Sequence, residues 1–134
     1  FFGSKPGYAG EAKQKMEEKY PNIKILGTHT GYFKPEEEEA IVNEIRSLKP
    51  DVLLVGIGAP KQEKFINKYK NEGFFKIGIG CGGSIDVLAG EVKRAPKLFI
   101  KLHLEWFYRL LKQPSRLGRM MVLPKFMKEV KKQK

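Results

Sequence analysis

The residues whose types and spacing could do chemistry fall in four glycine-rich junctions: GSKPG at 3–7, GTHTGYF at 27–33, GIGAPKQE at 56–63 and GIGCGGSID at 78–86. Glycines in such turns let backbone N–H groups come close to a phosphate, and a helix that starts behind the turn adds partial positive charge. Gly3, Gly7, Gly31, Gly58, Gly82 and Gly83 are candidates of this kind, and Pro6, which has no N–H to offer, is a candidate as part of the GSKPG loop. Four side chains stand beside them. Gln62 is suited to hydrogen-bond a sugar or phosphate oxygen. Glu63 is suited to hold a hydroxyl or a cation, or simply to complement the amino end of its helix. Asp86 is suited to accept from ribose hydroxyls or a base N–H, or to act as a turn or cap aspartate. Tyr32 is suited to stack on a base or a pyranose, or to pack in the core. His29, His103 and Cys81 have no metal-ligand spacing. They read as a loop donor, a helix residue and a small buried group.

No junction is a GxGxxG fingerprint followed by a ribose acid, and none is a Walker A loop. Their force lies in their placement. Phe1–Phe2 ends a strand, Tyr8–Tyr20 reads as a helix with Ala9, Ala12, Met16 and Tyr20 on one face, and Ile23–Leu26 as a short strand. A helix follows from Pro35 to about Leu48, with Glu36–Glu39 in a first turn that favours acids. Val52–Ile57 is a fully apolar strand, residues 60–71 a helix and Phe74–Ile79 another strand. Strands alternating with helices imply an α/β, Rossmann-like parallel sheet with right-handed crossovers and helices on both faces. In a parallel sheet all four junctions open on the carboxyl edge, where ligands of open α/β sheets bind. The pattern therefore points to a phosphorylated or nucleotide ligand. The opening Phe1-Phe2, followed at once by a Gly/Pro loop, reads as the end of a strand whose beginning lies outside the chain.

The charge is segregated. Residues 1–92 hold 13 basic and 13 acidic residues, whereas residues 93–134 hold 13 basic residues against Glu105 and Glu129 and so carry the whole net charge of +11. The 134 residues suffice for one core, and no apolar run approaches the roughly 18 to 20 that span a bilayer. A single cysteine excludes an internal disulfide framework. The boundary is expected near Glu91–Arg94, between a nucleotide-binding lobe at 1–92 and a basic helical appendage at 93–134. In the appendage, a helix from Pro96 to Lys112 carries Trp106, Phe107 and Tyr108 among aliphatics, and a second helical stretch runs from Leu117 to Val130, interrupted near Pro124. Interfacial aromatics ringed by lysines suit an anionic membrane surface, where each basic residue contributes about 1 kcal/mol. Arg109, Arg116 and Arg119 present planar forks suited to phosphate, or to lipid headgroups.

The segments GSKPGYAGEA, GTHTGYF, LLVGIGAPKQEKF, GCGGSIDVLAGEVKRAP and LEWFYRLLKQPSRLGR, in this order, resemble the signature of the WecG/TagA/CpsF glycosyltransferases (glycosyltransferase family 26), and most closely its TagA branch. The resemblance covers nearly the whole chain. It implies an inverting transferase that moves N-acetylmannosamine from UDP-N-acetylmannosamine to undecaprenyl-pyrophosphoryl-N-acetylglucosamine, in building the wall teichoic acid linkage unit at the cytoplasmic face of the membrane. By the same resemblance Gln62 belongs to the donor site and is the candidate catalytic residue within this chain, the GTHTGYF and GGSID segments hold the UDP, and the arginines at 109, 116 and 119 grip a pyrophosphate. No cofactor and no metal are expected, and the sequence offers no DxD pair for one. Members of the family carry a further N-terminal half with an aspartate that activates the acceptor hydroxyl. Residues 1–134 alone are therefore expected to be inactive or nearly so.

Three other readings compete: the uronic acid of the same donor, a nucleotide- or nucleic-acid-binding module with a basic tail, and a dehydrogenase. The missing GxGxxG speaks against the last. Against nucleic acid, the tail's aromatics share a helix with aliphatics instead of lying on an exposed sheet. At matched salt the chain is expected to be retained on anionic liposomes more strongly than on RNA, with retention falling as salt rises. Equal or stronger retention on RNA, measured by co-sedimentation, would reverse the assignment.

Overall fold

The computed structural model describes residues 1–91 and 96–112. The chain divides into two compact units, residues 1–93 and 94–134.

The first unit is an α/β, Rossmann-like arrangement. In chain order it contains β1 (Phe2–Gly3), α1 (Tyr8–Lys19), a 3₁₀ turn (Pro35–Glu37), α2 (Glu38–Leu48), β2 (Val52–Gly56), α3 (Lys61–Tyr69), β3 (Ile77–Gly80) and α4 (Ser84–Leu88). The sheet order is β1-β2-β3 and every pair is parallel, with Phe2 opposite Val55 and Val52 opposite Ile77. On the other side of β1, residues 27–31 run alongside it through one parallel bridge, Phe2 to His29. There the Gly3 N–H donates to the His29 carbonyl and the His29 N–H to that of Phe1, both at 2.8 Å.

Strand alternation splits the core between the two faces of the sheet. Leu53 and Val55 point to one face with Phe2, beneath Ile41, Val42 and Ile45 of α2 and Phe65 and Tyr69 of α3. The opposite face is closed by small residues, Ala9 and Ala12 of α1 against Ile85 of α4 and Ala89, with Phe1 and Cys81 beside them. Small side chains let α1 and α4 lie close together over the carboxyl half of the sheet. Local signals set the helix ends. At the entry to α2 the Lys34 N–H donates to Glu37 Oε2 at 2.6 Å and Pro35 opens the turn. At its exit Lys49 takes a left-handed conformation (φ 44°).

Three expectations need correction. Residues 23–26 form no strand: among the described residues the pairing of this stretch with β1 falls further along, at the bridge of Phe2 to His29. The last strand begins at Ile77, not Phe74: Phe74 and Phe75 both pack into the same core cluster on one face of the sheet, which strand alternation does not permit. In the second unit the helix expected from Pro96 to Lys112 is two helices, α5 (Lys97–Lys101) and α6 (Glu105–Lys112), broken where His103 adopts φ 57°. In α1, Ala9 and Ala12 are buried as expected, but Tyr20 is exposed. The stretch from Leu117 to Val130 lies outside the described residues. Among those described, no helix is long and apolar enough to cross a membrane.

Ile85 is fully buried and joins α4 to α1. Ile85→Ala is expected to destabilise the chain by about 3 kcal/mol, because a fully enclosed side chain leaves a cavity. Urea unfolding followed by circular dichroism checks this, and a loss under about 1 kcal/mol would mean the α1–α4 contact carries little of the stability.

Candidate functional site at the carboxyl rim

Because β1, β2 and β3 are parallel, the turns that follow Gly3, Gly56 and Gly80 open at one rim, and Gly31 comes to the same rim beside β1. The turns touch. A Cβ on Gly3 would lie 2.5 Å from the Gly56 carbonyl carbon, and one on Gly56 would lie 2.7 Å from the Gly82 oxygen and 3.0 Å from the Ile85 side chain. These two glycines thus serve close packing of backbone on backbone. Gly7, Gly58 and Gly82 are of another kind: each has positive φ and nothing within 4 Å of where a Cβ would stand.

Backbone bonds tie the turns into one ledge. The Ser4 N–H donates to the Gly56 carbonyl at 3.1 Å, the Gly31 N–H to the Ser4 carbonyl at 2.8 Å and the Cys81 N–H to the Val55 carbonyl at 2.8 Å. Two side chains complete it. Gln62, only 6% exposed, lies under the turn after β3: its Oε1 accepts from the Gly82 N–H at 3.1 Å, its Nε2 donates to Glu63 Oε1 at 2.8 Å, and its amide fills the space beside Gly80. The Ser4 hydroxyl donates to Asp86 Oδ1, clamping the turn after β1 to the first turn of α4. Ser4 is buried, with φ 69°.

The rim thus brings together Gly3, Gly31, Gly58, Gln62, Gly82, Gly83 and Asp86, with Pro6 and Gly7 on the loop after β1. Tyr32 is 68% exposed beside Gly31, free to present its ring to a ligand and not part of the core. Glu63 is exposed and receives the Gln62 amide. Asp86 does not cap α4, whose N-cap is Gly83 without a side-chain bond. Cys81 is half-buried, and burial, reinforced by the charge of Asp86, pushes its thiol pKa up, away from nucleophilic use at neutral pH. His29 packs edge-on against Phe2 and its Nδ1 lies 2.9 Å from the Thr30 carbonyl. Among the described residues no cluster of three His, Cys, Asp or Glu is arranged to hold a metal ion. Arg109 falls in α6; Arg116 and Arg119 lie outside the described residues. Ser4 was not singled out from the sequence. Its signal was a lone hydroxyl between Gly3 and Pro6, in a loop whose other members offer no side-chain donor except Lys5.

In open parallel α/β sheets, ligands bind at this carboxyl rim. The family model described as "Glycosyl transferase WecG/TagA/CpsF family" matches residues 1–134, and the chain belongs to that family. Its relatives include proteins named N-acetylglucosaminyldiphosphoundecaprenol N-acetyl-beta-D-mannosaminyltransferase. The one from Bacillus spizizenii is 40% identical over 132 residues, which are 98% of this chain and 51% of the relative. The one from Bacillus subtilis is 42% identical over 125 residues (93% and 48%), and one from Staphylococcus aureus 44% over 126 (93% and 49%). The chain spans about half the length of the curated relatives it matches.

Gln62→Leu keeps the buried volume but strips the Gly82 N–H of its acceptor. It is expected to cost about 1–3 kcal/mol, the penalty of an unpaired buried donor. Faster hydrogen exchange at residues 80–84, without change in β2, is the expected local signature. Unchanged exchange there would show that Gln62 does not hold the turn.

Proposed function

We propose that this chain forms the donor-binding part of a glycosyltransferase that moves N-acetylmannosamine, with inversion, from UDP-N-acetylmannosamine to an undecaprenyl-diphosphate-linked N-acetylglucosamine. The observation that carries the reading is the single ledge made by four turns at one rim, in a chain that belongs to a glycosyltransferase family. The relatives' name describes the acceptor and the sugar transferred; the UDP carrier and the inversion are what the resemblance to the family implies.

Each rim feature then has a role. The amino end of α1 and the open glycines at 7, 58 and 82 attract the diphosphate of the donor. Tyr32 stacks on the uracil or the sugar. Asp86, aimed by Ser4, keeps a second carboxylate oxygen for a ribose hydroxyl or a base N–H. Gln62 acts from beneath by setting the height of the Gly82 turn against the diphosphate. Departure of UDP leaves negative charge on the β-phosphate, which fixed N–H groups and cations can stabilise without a metal. The base that takes the acceptor proton lies outside these residues, so this part alone binds donor but does not turn over.

The acceptor is lipid-linked, and the second unit suits work at an anionic membrane surface on the cytoplasmic side. Leu98, Leu102 and Leu111 are exposed there, in a segment whose charge is strongly basic.

Calorimetric titration tests the donor site. UDP is expected to bind and NAD not to, and Tyr32→Ala combined with Asp86→Ala is expected to weaken UDP by about tenfold or more, as loss of a stacked ring and a charged acceptor should. Equal affinity for NAD, or full UDP affinity in the double variant, would refute the assignment.

A further inference from the structure

A cavity opens beside the ledge, on the α2–α3 side of the sheet. It measures about 410 Å³ and is bounded by Gly31, Ile57, the Pro35 turn and one flank of α3. That volume lies within the range of about 300–1,000 Å³ usual for small-molecule sites. Its floor is apolar: Phe33 and Ile57 are half-buried and Phe65 is buried, all packed on the main core. Its rim is cationic, formed by Lys61, Lys64 and Lys68 of α3.

Only one acid, Glu38, lines the cavity, and it is already engaged. Lys68 Nζ donates to Glu38 Oε1 at 2.7 Å and the Tyr69 hydroxyl donates to the same oxygen at 2.8 Å. These donors hold the Glu38 carboxyl below the usual carboxylate range. Among the described residues Lys61 and Lys64 make no ion pair. Being three residues apart on a helix, they are neighbours on one face, about 5–6 Å apart at Cβ, a spacing that straddles two linked phosphates. The wall opposite is preformed, since the bond from the Lys34 N–H to Glu37 Oε2 fixes the Pro35 turn. With the single carboxylate occupied, little is left to read a base or a sugar, while the floor asks for hydrocarbon.

We infer that this cavity takes an amphiphilic diphosphate, with the diphosphate on Lys61 and Lys64 and the first isoprene units over Phe33, Ile57 and Phe65: the lipid end of the acceptor, beside the donor ledge with which it shares Gly31. The assignment to the acceptor rests on the proposed function; the cavity and its chemistry do not.

The probes are farnesyl diphosphate, farnesol and inorganic diphosphate, titrated by calorimetry into the chain and into its K61A/K64A variant, with UDP as control. Farnesyl diphosphate is expected to bind about tenfold or more tightly than either fragment, and K61A/K64A to weaken it by about tenfold while leaving UDP affinity unchanged. Full farnesyl diphosphate affinity in K61A/K64A would overturn the inference by moving the site elsewhere, the basic 93–134 segment included. Inorganic diphosphate binding as tightly as farnesyl diphosphate would overturn it by leaving the apolar floor unused. Parallel loss of UDP in the variant would overturn it by making the cavity part of the donor site. If instead the unaltered chain binds farnesyl diphosphate through these lysines but not UDP, the cavity stands and the donor reading falls.

Discussion

The first unit depends on how closely its turns can approach one another. Gly3 lies against Gly56, and Gly56 under the Gly82 carbonyl, at separations no side chain would tolerate. Contact at that distance turns three strand ends into one continuous ledge of backbone, so polar groups from turns distant in sequence face the same small volume. Any side chain at Gly3 or Gly56 would push the turns apart, and a ligand bridging them would lose its contacts on one side or the other. The sheet below is short, with β1 of two residues and β3 of four, so the ledge is not simply an edge of a large rigid platform. It is held from within.

Two buried polar ties hold it. Gln62 reaches from α3 to the turn after β3, and Ser4 reaches from the turn after β1 to Asp86 on α4. The first links α3, which packs on one face, to the turn that leads into α4 on the other; the second links the turn before α1 to α4 on a single face. A buried amide is costly unless its bonds are made, and here Gln62 makes one with each end. Such ties give up some adaptability in exchange for a fixed geometry of the ledge.

The molecule separates its tasks by charge. The first unit is balanced overall and concentrates its chemistry in backbone geometry, with a local cationic flank on α3. The second carries the net charge, exposed leucines and two short helices broken at His103. A strongly basic segment supplies long-range attraction to anionic partners, whereas a charge-balanced unit discriminates by shape.

The sequence by itself determined the α/β class, the parallel sheet and the common rim, because glycine-rich breaks after apolar runs and alternating periods depend on neighbours only a few residues away. It also carried the family, through segments such as GAPKQEKF and GCGGSID, and it marked Gln62, Asp86 and Tyr32 for the site. It placed a strand at 23–26, whereas the pairing with β1 falls at His29, and it joined α5 to α6 because nothing local forbids a helix through His103. What only the tertiary structure decided was how each marked residue acts. Gln62 is buried beneath the ledge, Asp86 is held by a serine 82 residues away, and Gly3 and Gly56 serve close contact of backbone on backbone. The lysines of α3, ordinary in sequence, gained meaning only when Phe33 and Ile57 closed an apolar floor beside them. Those relations join residues far apart along the chain, and no local pattern encodes a distance that the fold alone creates.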